Sequence, residues 1–235
     1  MFVEYGQPFF IELFMGTLSV IITAGGIGKR MNSSLPKQFI LMFEKPILMY
    51  TIECFYHFDP KCQILVTLPE DWKEYWEELV TEHEFKVPHR VVSGGDERYH
   101  SIKNALQFCY GDYIAVHDGV RPLVDEDTIH KCIAKLRKHD AVIPVGLIAE
   151  SLRRKGGDGK TIAVDRNEFL IVQTPQCFKR ETLVKTYDLK YHPGITDDAG
   201  LAEEAGFIIS TVQGNPENIK ITTQADLKYA ELFLK

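Results

Sequence analysis

The chain has 235 residues, enough for one large domain or two small ones. Its hydrophobic fraction of 45% and charged fraction of 26% are those of a globular protein and exclude disordered and fibrous classes. A formal net charge of -6 argues against a general nucleic-acid-binding protein, so any anionic ligand has to be held by cations that cluster locally.

The beginning of the chain and the cysteines indicate the compartment. The five cysteines show no CxxC spacing, so we expect neither a zinc site nor a disulfide framework, and a reducing cytoplasmic setting fits best. The first residues are apolar in patches but carry Glu4, Pro8 and Glu12, which predicts neither a signal peptide nor a membrane span. Residues 1–17 are expected to lie outside the domain, either as an N-terminal extension or as sequence before a start at Met15.

From residue 18 onward, short apolar segments alternate with segments of helical periodicity. The predicted strands are 18–23, 63–68, 89–92, 112–117, 140–145 and 207–212. The predicted helices are 46–58, 70–83, 97–109, 125–138, 180–189, 197–205 and 223–234. Because the strands are apolar throughout, both faces of the sheet are expected to be covered. The pattern predicts an α/β fold with a doubly wound, mostly parallel sheet, whose ligands bind beyond the carboxyl ends of the strands.

One stretch, about residues 146–178, breaks this alternation. It holds a Gly-Gly-Asp-Gly turn between two β-prone arms, with no helical segment between them. The turn residues predict a β-hairpin. Since two strands rarely form an independent unit, we expect a hairpin arm that projects from a single domain at 18–235 and packs on a second copy of the chain.

The first strand is followed by the glycine-rich stretch AGGIGKRM and then by LPKQF. Backbone N–H groups of such a turn can face phosphate oxygens, since glycine allows close approach. The stretch is not a Walker A loop, because Arg30 follows Gly28-Lys29, and it lacks the third glycine of the dinucleotide fingerprint. The turn alone is equally consistent with an ordinary βα connection, but Lys37 in the same loop favours a polyphosphate site.

Two further motifs lie where strands end. The stretch SGGDERYHS offers Asp96 and Ser101 at a helix start, which suits either the edge of a pyrimidine base or an N-cap. In VHDGVRP, Asp118 suits a divalent metal or an acceptor hydroxyl, and Arg121 suits a phosphate. An Asp118–Arg121 pair that braces the loop is equally consistent with the sequence. No HExxH or GxSxG motif is present, which argues against zinc and serine hydrolases.

Taken in order, these segments resemble the methylerythritol phosphate cytidylyltransferase family, in the CTP-using sugar-nucleotidyltransferase-like group. The motifs are AGGIGKRM with LPKQF, GGDERYHSI, VHDGVRP, VDRN with QTPQCF, TDDA and NIKITT, and the resemblance spans residues 19–233. It implies transfer of CMP from CTP to 2-C-methyl-D-erythritol 4-phosphate with release of pyrophosphate, a step of the non-mevalonate isoprenoid route. It also implies Mg²⁺ and a cytoplasmic homodimer in which each arm reaches the neighbouring active site.

The resemblance assigns roles to individual residues. Those implied to bind CTP are Ala24, Gly25, Gly26, Gly28, Gly95, Asp96 and Ser101. Those implied to act in catalysis are Arg30, Lys37 and Lys220. Those implied to face the acceptor are Asp118, Arg121, Ser151 and Arg166, the last supplied by the second subunit's arm. Asp118 is also the implied metal ligand. Relatives often carry a threonine in the first arm, and Ser151 could supply the same hydroxyl here, although its spacing from Pro144 is longer.

Three alternatives differ in acceptor or in class. The ribitol 5-phosphate cytidylyltransferases share the AGGIGxRM and LPKQF motifs, whereas VDR and TDDA favour the methylerythritol family. A nucleotide-binding regulator without catalysis would have lost the cations, and those assigned above are all present. An NAD-dependent oxidoreductase would carry the third glycine of its fingerprint, which is missing here.

Overall fold

The computed structural model describes residues 16–26 and 35–234. Its strands are β1 (Leu18–Thr23), β2 (Leu41–Met42), β3 (Lys45–Pro46), β4 (Gln63–Leu68), β5 (Arg90–Ser93), β6 (Tyr113–Asp118), β7 (Ala141–Gly146), β8 (Leu152–Lys155), β9 (Thr161–Val164), β10 (Ile171–Val172), β11 (Gln176–Lys179) and β12 (Ile209–Gln213). Its helices are α1 (Ile47–Phe58), α2 (Lys73–Glu82), α3 (Arg98–Leu106), α4 (Glu126–Leu136), α5 (Arg180–Thr186), α6 (Asp198–Glu204) and α7 (Gln224–Glu231).

The main sheet has the order β7-β11-β6-β1-β4-β5, and β10 and β12 both pair with β7. The pairs β1–β4, β1–β6, β4–β5 and β7–β12 are parallel. Strand β11 runs antiparallel to β6 and β7, and β10 runs antiparallel to β7. The predicted α/β fold with a doubly wound, mostly parallel sheet is therefore confirmed.

Helices cover both faces of the sheet, which explains why the strands are apolar throughout. In β1, Val20 and Ile22 join a core cluster with side chains of α1, α2 and α4. Ile21 points the other way and joins a second cluster with side chains of α3, α5 and α6. In the described part of the chain, no helix has both the length and the apolarity of a membrane span.

The predicted helices and strands recur with ends shifted by a few residues, but the arm is shorter than predicted. Residues 171–179 return to the main sheet as β10 and β11, and β11 lies buried between β6 and β7. The sequence does not predict β11, because two glutamines and Pro175 interrupt the apolar residues of segment 171–178. The predicted hairpin itself is confirmed as β8 paired with β9, projecting within residues 147–170.

The order of the strands places a crevice at one edge of the sheet. From β1 the chain adds β4 and β5 on one side and then returns to place β6 on the other side. This reversal leaves a gap beyond the carboxyl ends of β1 and β6, where Thr23 pairs with Asp118. Open α/β sheets bind ligands at such a switch point.

Candidate active site

A cavity of about 390 Å³ occupies this crevice. Of the residues that the sequence predicted for the site, its walls include Ala24, Gly25, Gly26, Lys37, Gly95, Asp96, Ser101, Asp118 and Lys220. Arg121 contacts the cavity wall through Asp118. Gly28 and Arg30 lie outside the described residues. The fold thus brings together groups that are as far apart in the chain as the first strand and the segment before the last helix.

One wall is the glycine turn that follows β1. The Ala24 N–H donates to the Thr67 carbonyl at 3.1 Å, and the Gln38 side chain donates to the Ala24 carbonyl at 2.6 Å. Gln38 belongs to a short 3-10 turn, Lys37–Phe39, whose second and third residues are buried. This anchor holds Lys37 over the glycines, with its Cε 3.4 Å from where a Cβ on Gly26 would lie. A fixed cation therefore faces bare backbone.

A second wall is the turn that leads into α3. The Gly95 N–H donates to Ser101 Oγ at 3.0 Å, and Ser101 Oγ donates to the Glu97 carbonyl at 3.2 Å. The N-cap of α3 is Glu97, without a side-chain cap, so the N-cap interpretation of Asp96 is wrong. Asp96 is instead exposed at the cavity. This wall offers backbone groups, a hydroxyl and a carboxylate within a few residues.

The floor of the cavity carries a carboxylate held between two cations. Asp118 Oδ2 accepts from Arg121 Nε at 3.0 Å and lies 3.1 Å from Lys220 Nζ. Burial raises the pKa of the Asp118 carboxyl, but the attraction of nearby cations outweighs it and holds that pKa well below its usual range. Lys220 has the largest of these influences. The predicted pair between Asp118 and Arg121 is thus present, and Lys220 is a second cationic partner of the same carboxylate.

Arg98 also lines the cavity, and it is not among the residues predicted for the site. Its two terminal nitrogens donate to Asp198, Nη1 to Oδ1 at 2.9 Å and Nη2 to Oδ2 at 2.6 Å. Tyr187 donates to the same Asp198 Oδ1 at 2.6 Å. The sequence signal that could have identified Arg98 is its position between Asp96 and Ser101. The partner that fixes its orientation, Asp198, lies 100 residues away in the chain.

His117 lies beneath the floor and is fully buried. Its Nε2 donates to the Arg121 carbonyl at 3.0 Å, and its Nδ1 accepts from the Thr174 hydroxyl at 3.0 Å. Because a carbonyl only accepts, Nε2 carries the ring proton, and in the neutral ring, which burial favours, Nδ1 is the acceptor of the Thr174 hydroxyl. Burial lowers the pKa of His117 to about 4.

We expect the free energy of unfolding to fall as the pH is lowered, because of His117. Between the unfolded pKa of about 6.5 and the folded pKa of about 4, the unfolded chain binds a proton that the folded chain excludes. The stabilisation is therefore complete above about pH 6.5 and is lost as the pH falls through this window, by about 3 kcal/mol. Urea unfolding of the wild type and of His117→Phe between about pH 7 and pH 4 measures it. Equal pH slopes for the two proteins would contradict the prediction.

Two predicted site residues lie on the arm and away from this cavity. Ser151 precedes β8, and Arg166 follows β9 in a short 3-10 turn; both are exposed. Arg166 donates to the Ala149 carbonyl within the same arm. The structure does not bring these two residues to the cavity of the same chain.

Among residues 16–26 and 35–234, no cluster of three or more His, Cys, Asp or Glu side chains could hold a metal ion by itself. The cavity has three carboxylates in its walls, Asp96, Glu97 and Asp118. It also has the cations Lys37, Arg98 and Lys220. This arrangement suits an anionic ligand that contacts the backbone of the glycine turn and the positively charged side chains of the cavity.

Comparisons with known proteins agree with this geometry. The family model described as IspD: 2-C-methyl-D-erythritol 4-phosphate cytidylyltransferase matches residues 18–235. The chain is similar to 2-C-methyl-D-erythritol 4-phosphate cytidylyltransferases of Bacteroides fragilis and Bacteroides thetaiotaomicron, with 43% and 44% identity. Each of these alignments covers 92% of this chain and 99% of the relative.

Solved structures with the same fold lead to the same family. The chain is similar to the 2-C-methyl-D-erythritol 4-phosphate cytidylyltransferase of Francisella tularensis, with 30% identity, a TM-score of 0.74 and coverage of 93% of this chain and 100% of the other. It is also similar to the 4-diphosphocytidyl-2C-methyl-D-erythritol synthase of Anaerococcus prevotii, with 26% identity and a TM-score of 0.78. That alignment covers 93% of this chain and 96% of the other.

Proposed function

Because this chain belongs to the 2-C-methyl-D-erythritol 4-phosphate cytidylyltransferase family, we propose that it transfers CMP from CTP to 2-C-methyl-D-erythritol 4-phosphate. A phosphate oxygen of the acceptor attacks the α-phosphorus of CTP, the α–β phosphoanhydride bond breaks, and pyrophosphate leaves. The observation that carries the proposal is the crevice itself, where glycine backbone and the cations Lys37 and Lys220 face a single cavity. The reaction serves the cytoplasmic non-mevalonate route to isoprenoid precursors.

The chemistry fits a site without a catalytic base. A phosphate monoester is already anionic at neutral pH, so its oxygen needs no deprotonation before it attacks. The difficulty is that two anions must meet and that charge builds on the α-phosphate and the leaving group. Fixed cations and backbone donors reduce both problems by positioning and by electrostatic stabilisation.

The two ends of the cavity suit the two substrates. The triphosphate would lie against Ala24–Gly26 beside Lys37, and Arg30, which is outside the described residues, is proposed as a second catalytic cation. Cytosine and ribose would lie against Gly95, Asp96 and Ser101. The acceptor phosphate would lie near Arg121 and Lys220, which leaves the α-phosphorus between the two.

We expect Gly95→Ala to weaken CTP binding by about tenfold. A Cβ at position 95 would lie 2.4 Å from the Cβ of His100, so the turn would have to shift. Overpacking of this kind costs about 1–3 kcal/mol, and about 1.4 kcal/mol corresponds to a tenfold change. The dissociation constant of CTP, measured by calorimetry, reports the effect. Gly157→Ala is the control, since no atom lies within 4 Å of its Cβ; a wild-type constant for Gly95→Ala would refute the assignment.

The residues also fit a magnesium ion. Mg²⁺ usually takes one or two carboxylates and completes its shell with water and substrate phosphates. Asp118 would hold it with one carboxylate oxygen, because Oδ2 is already engaged by Arg121 and Lys220. When bound, the ion would supply positive charge to the α-phosphate and the leaving pyrophosphate.

A homodimer would complete the acceptor end. The arm exposes apolar side chains that one subunit does not cover, among them Ile162, Phe169 and Leu170, each about half exposed. Large exposed apolar patches usually mark an interface. In the dimer, Ser151 and Arg166 of each arm would reach the acceptor phosphate in the other subunit's cavity.

Pyrophosphate release tests the proposed function. The protein is incubated with CTP and Mg²⁺, together with either 2-C-methyl-D-erythritol 4-phosphate or ribitol 5-phosphate. We expect release with the first acceptor only. Release with ribitol 5-phosphate alone would identify the ribitol 5-phosphate activity instead, and CTP binding without release would identify a regulator.

A further inference from the structure

Four residues under the cavity floor form a closed ring of hydrogen bonds. His117 donates from Nε2 to the Arg121 carbonyl at 3.0 Å, and Arg121 donates from Nη1 to the Asn218 carbonyl at 2.7 Å. Asn218 donates from Nδ2 to the Thr174 carbonyl at 2.7 Å. The Thr174 hydroxyl donates to His117 Nδ1 at 3.0 Å and closes the ring. Each residue both donates and accepts.

The ring joins three segments that are distant in the chain. His117 and Arg121 flank the end of β6, Thr174 precedes β11, and Asn218 precedes α7. One further hydrogen bond connects the ring to the cavity floor, because the Asp118 N–H donates to the Thr174 hydroxyl at 3.2 Å. The sequence motifs VHDGVRP, QTPQCF and NIKITT, which were matched separately, therefore meet at one place.

The ring controls the direction of the Arg121 guanidinium. Arginine has five N–H donors, and two of them are used here, Nε to Asp118 and one at Nη1 to Asn218. The remaining donors keep a fixed orientation because two bonds hold the plane. Lys220 is positioned through its backbone and its ion pair: it lies two residues after Asn218, the next residue, Ile221, donates its N–H to the Val120 carbonyl at 2.9 Å, and the Lys220 amine lies 3.1 Å from Asp118 Oδ2.

The ring is isolated from solvent. His117 and Asn218 are fully buried, and Thr174 is 6% exposed. Hydrogen bonds in such surroundings are strong, and an unpaired partner costs about 1–3 kcal/mol, so the arrangement is held as a unit. None of the side-chain atoms of His117 or Asn218 needs to touch a substrate to have this effect.

We propose that His117 and Asn218 are positioning residues for the acceptor, because their buried ring with Thr174 orients Arg121 and Lys220 toward the acceptor phosphate. The proposal rests on the proposed function for the identity of the acceptor. It predicts an effect concentrated on the acceptor, because Arg121 and Lys220, the two cations beside the ring, belong to the acceptor end, whereas the glycine turn and Lys37 belong to the triphosphate end. A role in stability alone predicts no such separation.

The test compares His117→Phe with the wild type. Phenylalanine keeps a ring that can pack against Phe55, whose centroid lies 4.9 Å from that of His117, but it removes both hydrogen bonds. We expect KM for 2-C-methyl-D-erythritol 4-phosphate to rise about tenfold, with KM for CTP changed less than about twofold, as about 1.4 kcal/mol of lost acceptor binding would give. His117→Gln can restore the bond to Arg121 through its amide, so its acceptor KM should return toward the wild-type value.

Two further variants complete the design. His57→Phe, at an exposed position on α1, is the matched control and should leave both KM values unchanged. Asn218→Ala removes the bond to Thr174 without changing His117, and it should give the same acceptor-selective rise. Either folded variant with a wild-type acceptor KM, or with both KM values raised equally, would overturn the proposal.

Failure of the proposed function gives a different result. A wild-type protein that shows no turnover with CTP and 2-C-methyl-D-erythritol 4-phosphate contradicts that function alone. Binding of inorganic phosphate, measured by calorimetry without turnover, then tests the ring. We expect His117→Phe to weaken phosphate binding about tenfold, and an unchanged dissociation constant would overturn the proposal.

Discussion

Replacing Lys37 with alanine is expected to lower kcat for CMP transfer by about a hundredfold to a thousandfold. The Lys37 side chain packs against the glycine turn, with Cε 3.4 Å from an ideal Cβ on Gly26, so its charge would meet the α-phosphate of a triphosphate bound there. Because the 3-10 turn at Lys37–Phe39 is anchored by buried side chains, the lysine is held before the substrate binds. A preorganised donor of this kind typically contributes about 2.7–4 kcal/mol to the transition state.

Steady-state kinetics with both substrates at saturation checks this result. Lys61→Ala is the control, because Lys61 is exposed in the turn between α1 and β4 and is remote in sequence from every group of the site. We expect Lys61→Ala to keep the wild-type kcat. If Lys37→Ala also kept it, Lys37 would not act at the α-phosphate, and the remaining cations of the cavity would have to supply the stabilisation.

The parts of the site that sequence could predict are those with a local signal. Ala24, Gly25 and Gly26 follow a buried strand, and Lys37 comes next in the same loop, so strand position and composition were sufficient. Asp118 was predicted in the same way, as an acidic residue at the carboxyl end of β6. The doubly wound fold followed from strands that are apolar on both faces.

The groups that sequence did not predict depend on contacts between distant segments. The sequence does not predict a role for Arg98, because its partner Asp198 lies 100 residues away and a lone arginine at a helix start is usually a surface charge. The sequence motifs contain His117 and Asn218 but predict no role for them, because their hydrogen bonds are made to Thr174, which lies on a different segment. Strand β11 was missed for a similar reason, since only the pairing with β6 and β7 makes its short run a strand.

Asp198→Asn is expected to lower the free energy of unfolding by about 3 kcal/mol. Asp198 is 1% exposed and accepts from both terminal nitrogens of Arg98 and from the Tyr187 hydroxyl. Removing one member of a buried ion pair typically costs about 3–5 kcal/mol, because the other charge stays behind. The lower value applies because the Arg98 side chain is 31% exposed, so water at the cavity can solvate part of its charge.

Urea unfolding at neutral pH measures this loss, with Asp127→Asn as the matched control. Asp127 pairs with Lys131 at 2.5 Å on the exposed face of α4, where an ion pair contributes about 0–1 kcal/mol. A loss no larger at position 198 than at position 127 would show that the pair on the cavity wall contributes no more than a surface contact.

The double variant Arg98→Met with Asp198→Asn separates stability from function at this wall. It leaves no unpaired charge, so we expect it to be more stable than Asp198→Asn alone by about 1 kcal/mol, a coupling typical of residues in contact. The cation would still be missing from the cavity. If turnover of the double variant is as low as that of Asp198→Asn despite its higher stability, the Arg98 charge acts on the ligand. If turnover recovers together with stability, the Arg98 charge serves only to stabilise the fold. Because Arg98 faces the cavity on one side and Asp198 on the other, we expect the first result.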